Sequence, residues 1–259
     1  EIEAAISYTD TDPGFTLDEL GVEGRSFSSS ITVSHPFIRS RETNLTGRLQ
    51  FDLRNVDSQS DVFDTIEDDI RMIRVGADYV FVDTLFGVGI NNLDLEVTTG
   101  LDVFDASDEG DNLTRANANP QASKIEFGAE RIQRLTNTLN LSLRGVGQLA
   151  SSSMVSSEEF GVGGINIGRG YDSSEILGDD GIAGSAEIQW SDPAQIDFID
   201  TYQLFAFYDA GRVWNDNPTD DSQARQSLTS TGLGVRTTLF DQTVNFDAFV
   251  AFPLNRDVE

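Results

Sequence analysis

The chain of 259 residues has no cysteine, one histidine and only 17 lysine and arginine residues. The absence of cysteine excludes disulfide scaffolds, Cys-ligated zinc and thiol nucleophiles. His35 and Lys124 are the only residues of their kinds, which leaves little for imidazole catalysis, histidine metal sites or Schiff bases. The 44 acidic residues give a formal net charge of -27, which excludes binding to nucleic-acid phosphates because such binding needs a basic surface. At 38% hydrophobic residues, the chain is nevertheless too apolar for a disordered acidic segment.

Long apolar runs are also missing, since none approaches the roughly 18 residues of a membrane-spanning helix. Instead, apolar and polar residues alternate, most clearly in segments 44–55, 72–82, 138–144 and 243–252. This period of two predicts strands with one apolar and one polar face, and no segment predicts a helix of three turns. We predict an all-β protein with about eleven strands, near 2–9, 25–37, 44–56, 70–83, 89–101, 122–131, 136–150, 182–191, 200–214, 227–240 and 243–254.

The strand lengths and the connections between strands favour a membrane barrel. Most predicted strands have about ten or more residues, which is typical of tilted membrane strands and long for soluble sheets. Long and short connections alternate along the chain, as expected for an antiparallel up-and-down transmembrane β-barrel with long loops on one side. The long connections are 10–24, 57–69, 102–121, 151–181 and 215–226.

Two segments carry the candidate functional residues. The longest connection, 151–181, contains Gly168-Arg169-Gly170-Tyr171-Asp172 and ends with Gly178-Asp179-Asp180-Gly181. A later strand contains Phe207-Tyr208-Asp209-Ala210-Gly211, in which Phe207, Asp209 and Gly211 share one face. If the opposite face meets lipid, Asp209 points into the lumen, where an arginine on a loop folded into the barrel can pair with it.

These motifs resemble those of the transporter barrels of bacterial two-partner secretion, the haemolysin and filamentous-haemagglutinin secretion/activation proteins. In that family a lumen-plugging sixth extracellular loop carries (V/I)-R-G-(F/Y), matched by residues 168–171, and the next-but-one strand carries F-x-D-x-G, matched by residues 207–211. Gly168 stands where the family has a β-branched residue, a change we expect to be mild at a loop tip. Weaker matches occur in the family's order at 35–41, 131–135, 147–150 and 251–254.

The resemblance implies roles for these residues. Arg169 and Asp209 would form an ion pair that latches the sixth loop inside the lumen. The other site residues would be Gly168, Gly170, Tyr171 and Asp172 in the loop tip, Phe207 and Gly211 in the strand, and Gly178, Asp179 and Gly181 in support of the loop. Because the family barrel has sixteen strands, residues 1–259 would be its fifth to fifteenth strands. We expect a fragment that lacks the periplasmic polypeptide-transport-associated domains, the plug helix, four strands and the closing strand.

The implied function is transport. We expect a monomeric pore in the outer membrane of a Gram-negative bacterium, in contact with lipid and lipopolysaccharide, that passes one large exoprotein to the cell surface. No catalytic residue, metal, cofactor or nucleic acid is implied. A barrel-assembly factor of the same superfamily and a general diffusion porin remain open, and a barrel enzyme that uses His35 is a more distant alternative.

The acidic residues are concentrated in the long connections. Segments 10–23, 57–69, 102–111, 172–180 and 216–221 contain 23 acidic residues and no lysine or arginine, which leaves 21 acidic against 17 basic residues elsewhere. We expect this excess on one rim of the barrel, facing outside the cell. There it would favour solubility and, through divalent cations, contact with lipopolysaccharide.

Overall fold

A computed structural model describes residues 1–11, 23–59, 66–196, 199–218 and 224–255. These residues form one eleven-stranded sheet and one two-stranded hairpin. The described residues include no helix that is long and apolar enough to cross a membrane. The strands are β1 (Ile2–Thr11), β2 (Glu23–Arg39), β3 (Thr43–Gln59), β4 (Ile66–Asp83), β5 (Gly89–Gly100), β6 (Ser123–Arg134), β7 (Leu139–Ala150), β8 (Phe160–Val162), β9 (Ile176–Gly178), β10 (Asp180–Ile196), β11 (Ile199–Trp214), β12 (Arg225–Leu239) and β13 (Val244–Pro253).

The large sheet confirms the predicted all-β, up-and-down architecture. Its strands follow chain order from β1 to β7 and from β10 to β13, and every neighbouring pair is antiparallel. Among the described residues, β1 and β13 each pair on one edge only, so the sheet is open. The hairpin of β8 and β9 lies within the connection between β7 and β10.

Several strands are longer than predicted. β10 continues to Ile196 instead of ending near 191, and β3 and β4 pair as far as Ser58 opposite Ile66. The predicted connection 57–69 is therefore partly strand, because backbone pairing continues through polar residues whose side chains break the apolar alternation. Three of the predicted connections contain residues that lie outside the described ones, namely 60–65, 12–22 and 219–223.

The two faces of the sheet differ in what covers them. The outer face carries large apolar side chains that are exposed along the width of the sheet. The inner face is the opposite one, on which Phe205, Phe207 and Asp209 of β11 are buried. Residues of the outer face include Ile31, Val75, Leu95, Ile125, Leu143, Ile188, Leu204, Leu233 and Val250.

The buried core lies on the inner face and is built largely by connections. Residues 151–179 join β7 to β10, and the β8–β9 hairpin within them packs on β10, β11 and β12. One cluster of buried residues contains Val162, Ile167, Ile176, Ala183, Val213 and Leu228. A second cluster joins Ile70 and Met72 of β4 to Leu113, Ala118 and Val155 from two connections. The inner face is therefore occupied by folded chain.

Leu143 and Ser142 of β7 test the assignment of the faces, because they project from opposite sides of one strand. In the full-length protein refolded into phospholipid vesicles, we expect Leu143→Lys to lower the free energy of unfolding by about 2–4 kcal/mol, since it places a charge in lipid. Ser142→Lys is the matched control and should change it much less. Equal losses in urea titrations of the two variants would contradict the assignment.

Candidate functional site

The inner face of β10 and β11 presents two carboxylates close together. Ser185 of β10 lies opposite Asp209 of β11, and Glu187 lies opposite Phe207, so all four side chains share the inner face. Asp209 is completely buried and the Glu187 side chain is 8% exposed. Buried carboxylates are unfavourable unless they are paired and hydrogen-bonded, so this patch requires a cation.

Arg169 supplies that cation from the connection 151–179. Its Nε and Nη2 atoms lie 3.0 and 2.9 Å from the two carboxylate oxygens of Asp209, a bidentate arrangement. Nη1 donates to Glu187 at 2.6 Å, and Nη2 also donates to the Ser185 hydroxyl at 2.9 Å. The guanidinium is therefore held by side chains of two adjacent strands.

The backbone of the loop tip binds the same carboxylate. The amides of Gly168 and Arg169 donate to Oδ2 of Asp209 at 3.1 and 3.0 Å. Gly168 has φ of +91°, and a Cβ there would lie 3.0 Å from Leu228 Cδ1. A β-branched residue is strained in this left-handed conformation, so the departure from the family pattern matters more than the mild change expected from the sequence.

Two arginines lie over aromatic rings that rest on glycines. Arg169 Cζ is 3.4 Å from the centre of the Phe207 ring, and a Cβ at Gly232 of β12 would lie 2.5 Å from that ring. Phe205 repeats the arrangement two residues earlier, between Gly234 and a guanidinium 3.8 Å away. The glycines leave room for flat rings, and the ring faces attract the cations.

The second guanidinium belongs to Arg236 of β12, which shares Glu187 with Arg169. Arg236 Nη1 lies 2.6 Å from Glu187, and Arg236 Nε lies 2.9 Å from Asp247 of β13. Opposite charges thus alternate along one chain of contacts, which runs through the loop and four strands in the order Asp209, Arg169, Glu187, Arg236 and Asp247. The sequence motifs did not point to Glu187, Arg236, Gly232 or Gly234, although the period-two positions of these residues on neighbouring strands place them on the inner face.

The rest of the loop tip is held against β12 and β13. A Cβ at Gly170 would lie 2.9 Å from both Pro253 N and Ser230 Cβ, so only glycine permits this approach. The Tyr171 hydroxyl lies 3.1 Å from the Thr229 carbonyl oxygen and 2.5 Å from that of Asn255. Asp172, also expected at the site, is exposed and lies past the buried part of the tip.

The supporting residues lie at the base of the loop. Gly178 packs against Trp214, whose carbonyl oxygen would be 2.8 Å from a Cβ there. Gly181, predicted in the connection, is in β10 and lies under the Phe160 ring, while Gly211 makes room for Val162. Asp179 is completely buried, and Arg115 Nη2 donates to it at 3.0 Å. Sequence reasoning did not identify Arg115.

The first arm of the loop has its own attachment to the sheet. Glu158 lies 2.7 Å from Arg74 of β4 and 3.1 Å from Lys124 of β6. Burial raises the pKa of Glu158, but the hydrogen bonds and charges of Arg74 and Lys124 outweigh burial and hold the pKa below its ordinary value. Here the loop provides the anion and the sheet the cations, the reverse of the arrangement at Arg169.

Known proteins resemble this chain in sequence pattern and in fold. The family model described as haemolysin secretion/activation protein ShlB/FhaC/HecB matches residues 5–237. Comparison by sequence with curated proteins gave no match. One similar solved structure is CdiB from Escherichia coli, with a TM-score of 0.78 and 18% sequence identity, and the match covers 98% of this chain and 46% of that chain. Another is CdiB from Acinetobacter baumannii, with a TM-score of 0.70 and 17% sequence identity, and the match covers 100% of this chain and 45% of that chain. BamA from Haemophilus ducreyi lacking POTRA domains 1–3 has a TM-score of 0.67 and 12% sequence identity, and the match covers 98% of this chain and 56% of that chain.

The fold and the site together define part of a membrane β-barrel with an arginine-tipped loop on its inner face. The chain belongs to the haemolysin secretion/activation protein family ShlB/FhaC/HecB. This confirms the resemblance drawn from the sequence. The chain spans about half the length of the solved structures it resembles.

Gly168→Val tests whether the tip needs a left-handed glycine. The backbone strain alone costs about 1–3 kcal/mol, and the new side chain also meets Leu228. We expect the loop to leave Asp209 and trypsin to cleave after Arg169 in outer-membrane vesicles. Gly110→Val is the matched control, because Gly110 has φ of +100° but nothing within 4 Å of a Cβ. Equal cleavage after Arg169 in both variants would contradict a specific role for Gly168.

Glu158→Gln tests the attachment of the first arm by its pH dependence. Because the folded state holds the pKa of Glu158 below the ordinary value of 4.5, its stabilisation is complete above that value and is lost as the pH falls through the folded pKa. The difference in unfolding free energy between wild type and Glu158→Gln should therefore be large at pH 7 and shrink below about pH 4. A difference that does not vary with pH would exclude this ion pair as its cause.

Proposed function

We propose that the full-length protein is an outer-membrane transporter of two-partner secretion, in which Arg169 and Asp209 latch residues 151–179 inside the barrel lumen. The inner face of the sheet is then the lumen wall, and the outer face meets lipid. The transporter acts on one large exoprotein, which crosses the pore unfolded. It is not an enzyme and needs no cofactor.

The observation that carries this proposal is the complete burial of Asp209 under a loop arginine. Asp209 accepts hydrogen bonds from the Arg169 guanidinium and from two loop amides. Removal of one partner of a fully buried pair costs about 3–5 kcal/mol, although the pair itself adds little net stability. Such a contact suits a latch, because separation in a wet lumen lets water solvate both charges.

The proposed surroundings follow from family membership and from charge. We place the barrel as a monomer in the outer membrane of a Gram-negative bacterium, with the long connections facing outside, towards lipopolysaccharide. Several acidic residues of those connections have structural roles: Asp68 accepts a hydrogen bond from the Thr114 amide at 2.9 Å, Asp179 binds Arg115, Asp180 accepts from the Ala150 amide at 2.7 Å, and Glu158 binds Arg74 and Lys124. Only the remaining acidic residues, such as Asp172, are available for solvation or divalent cations.

The alternatives are less well supported. A general diffusion porin would leave Arg169 and Asp209 apart and the loop outside the lumen, whereas the loop lies on the inner face. A barrel-assembly factor has support from the likeness to BamA, but the family model favours a secretion protein. A barrel enzyme that uses His35 has no support in the site.

Arg169→Ala tests the latch. We expect the variant to insert in the outer membrane at wild-type levels but to lose most export of its exoprotein, because Asp209 is left without its cation. Arg144→Ala is the matched control, since Arg144 is also an inner-face arginine, is 42% exposed and lies 3.5 Å from Glu130. The control should export normally. Wild-type export by Arg169→Ala, measured by immunoblot of culture medium and cell surface, would overturn the latch.

A further inference from the structure

Arg115, in the connection between β5 and β6, binds the base of the loop that carries Arg169. Its Nη1 atom donates to the Met154 carbonyl oxygen at 2.6 Å, and its Nη2 atom donates to Asp179 at 3.0 Å and to the Asn215 side chain at 3.1 Å. Glu159 lies 3.5 Å from its Nε. One guanidinium thus contacts two separate connections besides its own.

Asp179 is the anion at the centre of this contact. Besides Arg115, the Met154 amide donates to Asp179 at 2.6 Å and the Asp216 amide donates at 2.7 Å. These donors come from the start of the loop and from the residues that follow β11. Asp179 therefore joins three connections that are far apart in sequence.

Beside the Arg115–Asp179 ion pair, neighbouring residues of the β5–β6 connection also pack against the loop. Leu113 and Ala118 are buried with Val155 of the loop and with two residues of β4. The Thr114 hydroxyl lies 3.3 Å from that of Ser156, and the Asn119 amide donates to the Ser153 carbonyl oxygen at 2.9 Å. We call residues 113–119 the clasp.

We propose that the clasp holds the base of residues 151–179 in place, with Arg115 as a positioning residue that sets the loop so that Arg169 meets Asp209. The inference rests on the proposed transport function. Arg115 does not touch Arg169 or Asp209. It acts through Asp179, which precedes β10 directly and is joined to the tip through β9.

The base and the tip of the loop differ in the contacts that hold them. At the base, Asp179 binds backbone amides and an arginine that all lie in connections, with apolar packing beside them. At the tip, Arg169 binds side chains of the sheet, and three glycines with positive φ, Gly163, Gly164 and Gly168, lie at or before it. Release during transport is therefore confined to the tip, and the clasp stays closed.

Arg115→Gln in the full-length protein removes the cation from Asp179. In planar lipid bilayers without any exoprotein, we expect it to raise the frequency of large-conductance openings by about tenfold or more, because a tip on a loose base leaves Asp209 more often. Export in cells should fall as well. Arg25→Gln is the control, as Arg25 is a half-exposed arginine at the same end of the sheet, paired with Glu23 at 3.4 Å. Openings by Arg115→Gln at the wild-type frequency would overturn the proposal.

A disulfide can replace the ion pair, which separates positioning from any other role of Arg115. Residues 1–259 contain no cysteine, so Thr114→Cys with Ser156→Cys creates the one cysteine pair within this part of the protein, at positions whose hydroxyl oxygens are 3.3 Å apart. In the Arg115→Gln background, oxidation should restore the low opening frequency and the export, and reduction with dithiothreitol should remove both. Where the disulfide forms, as shown by mass spectrometry, failure to restore them would overturn the positioning role.

The same disulfide in the wild-type background tests the static base. We expect oxidised and reduced protein to export equally, because the clasp does not open. Export that is blocked by oxidation and recovered by reduction would overturn this part.

If Arg115→Gln fails to reach the membrane, Arg115→Lys, which keeps the charge but loses the bidentate geometry, takes its place with the same readouts. Loss of export in every protein, wild type included, would count against the transport function, while the bilayer measurement still tests the clasp.

Discussion

A carboxylate on the inner wall of a sheet needs a cation, and Asp209 finds it on a loop instead of on a neighbouring strand. Its two oxygens accept hydrogen bonds from a guanidinium and from two successive amides of the loop tip. Because Asp209 is completely buried, the loop cannot leave without exposing or stranding that charge. The position of the loop tip on the inner face depends on this requirement.

Several residues of the surrounding strands make room for the Arg169–Asp209 ion pair or balance its charge. Gly232 and Gly234 of β12 give up side chains so that Phe207 and Phe205 can lie flat, and each ring then carries a guanidinium. Arg236 neutralises the other half of Glu187, so neither carboxylate near Arg169 depends on a single contact. Gly170 allows the tip to approach the β12 and β13 backbone.

The large sheet and the Arg169–Asp209 pair could be predicted from the sequence, but the contacts that hold the rest of the loop could not. Long period-two alternation predicted eleven strands, and the two motifs pointed to Arg169 and Asp209. The hairpin of Phe160–Val162 and Ile176–Gly178 was missed because three residues carry no readable period and tertiary packing makes them strands. Arg115 and Glu158 were missed because their partners depend on which connections meet over the sheet, which no local pattern records.

The central claim, that the loop is held by a direct energetic coupling between Arg169 and Asp209, is tested most directly by a double-mutant cycle. The free energies of unfolding of wild type, Arg169→Gln, Asp209→Asn and the double variant would be measured by urea titration of the full-length protein in lipid vesicles. Arg169→Gln leaves Asp209 without its cation, and Asp209→Asn leaves Arg169 with Glu187 as its one carboxylate partner. The double variant should therefore lose less than the sum of the two by about 2 kcal/mol or more. Losses that add within about 0.5 kcal/mol would contradict the claim.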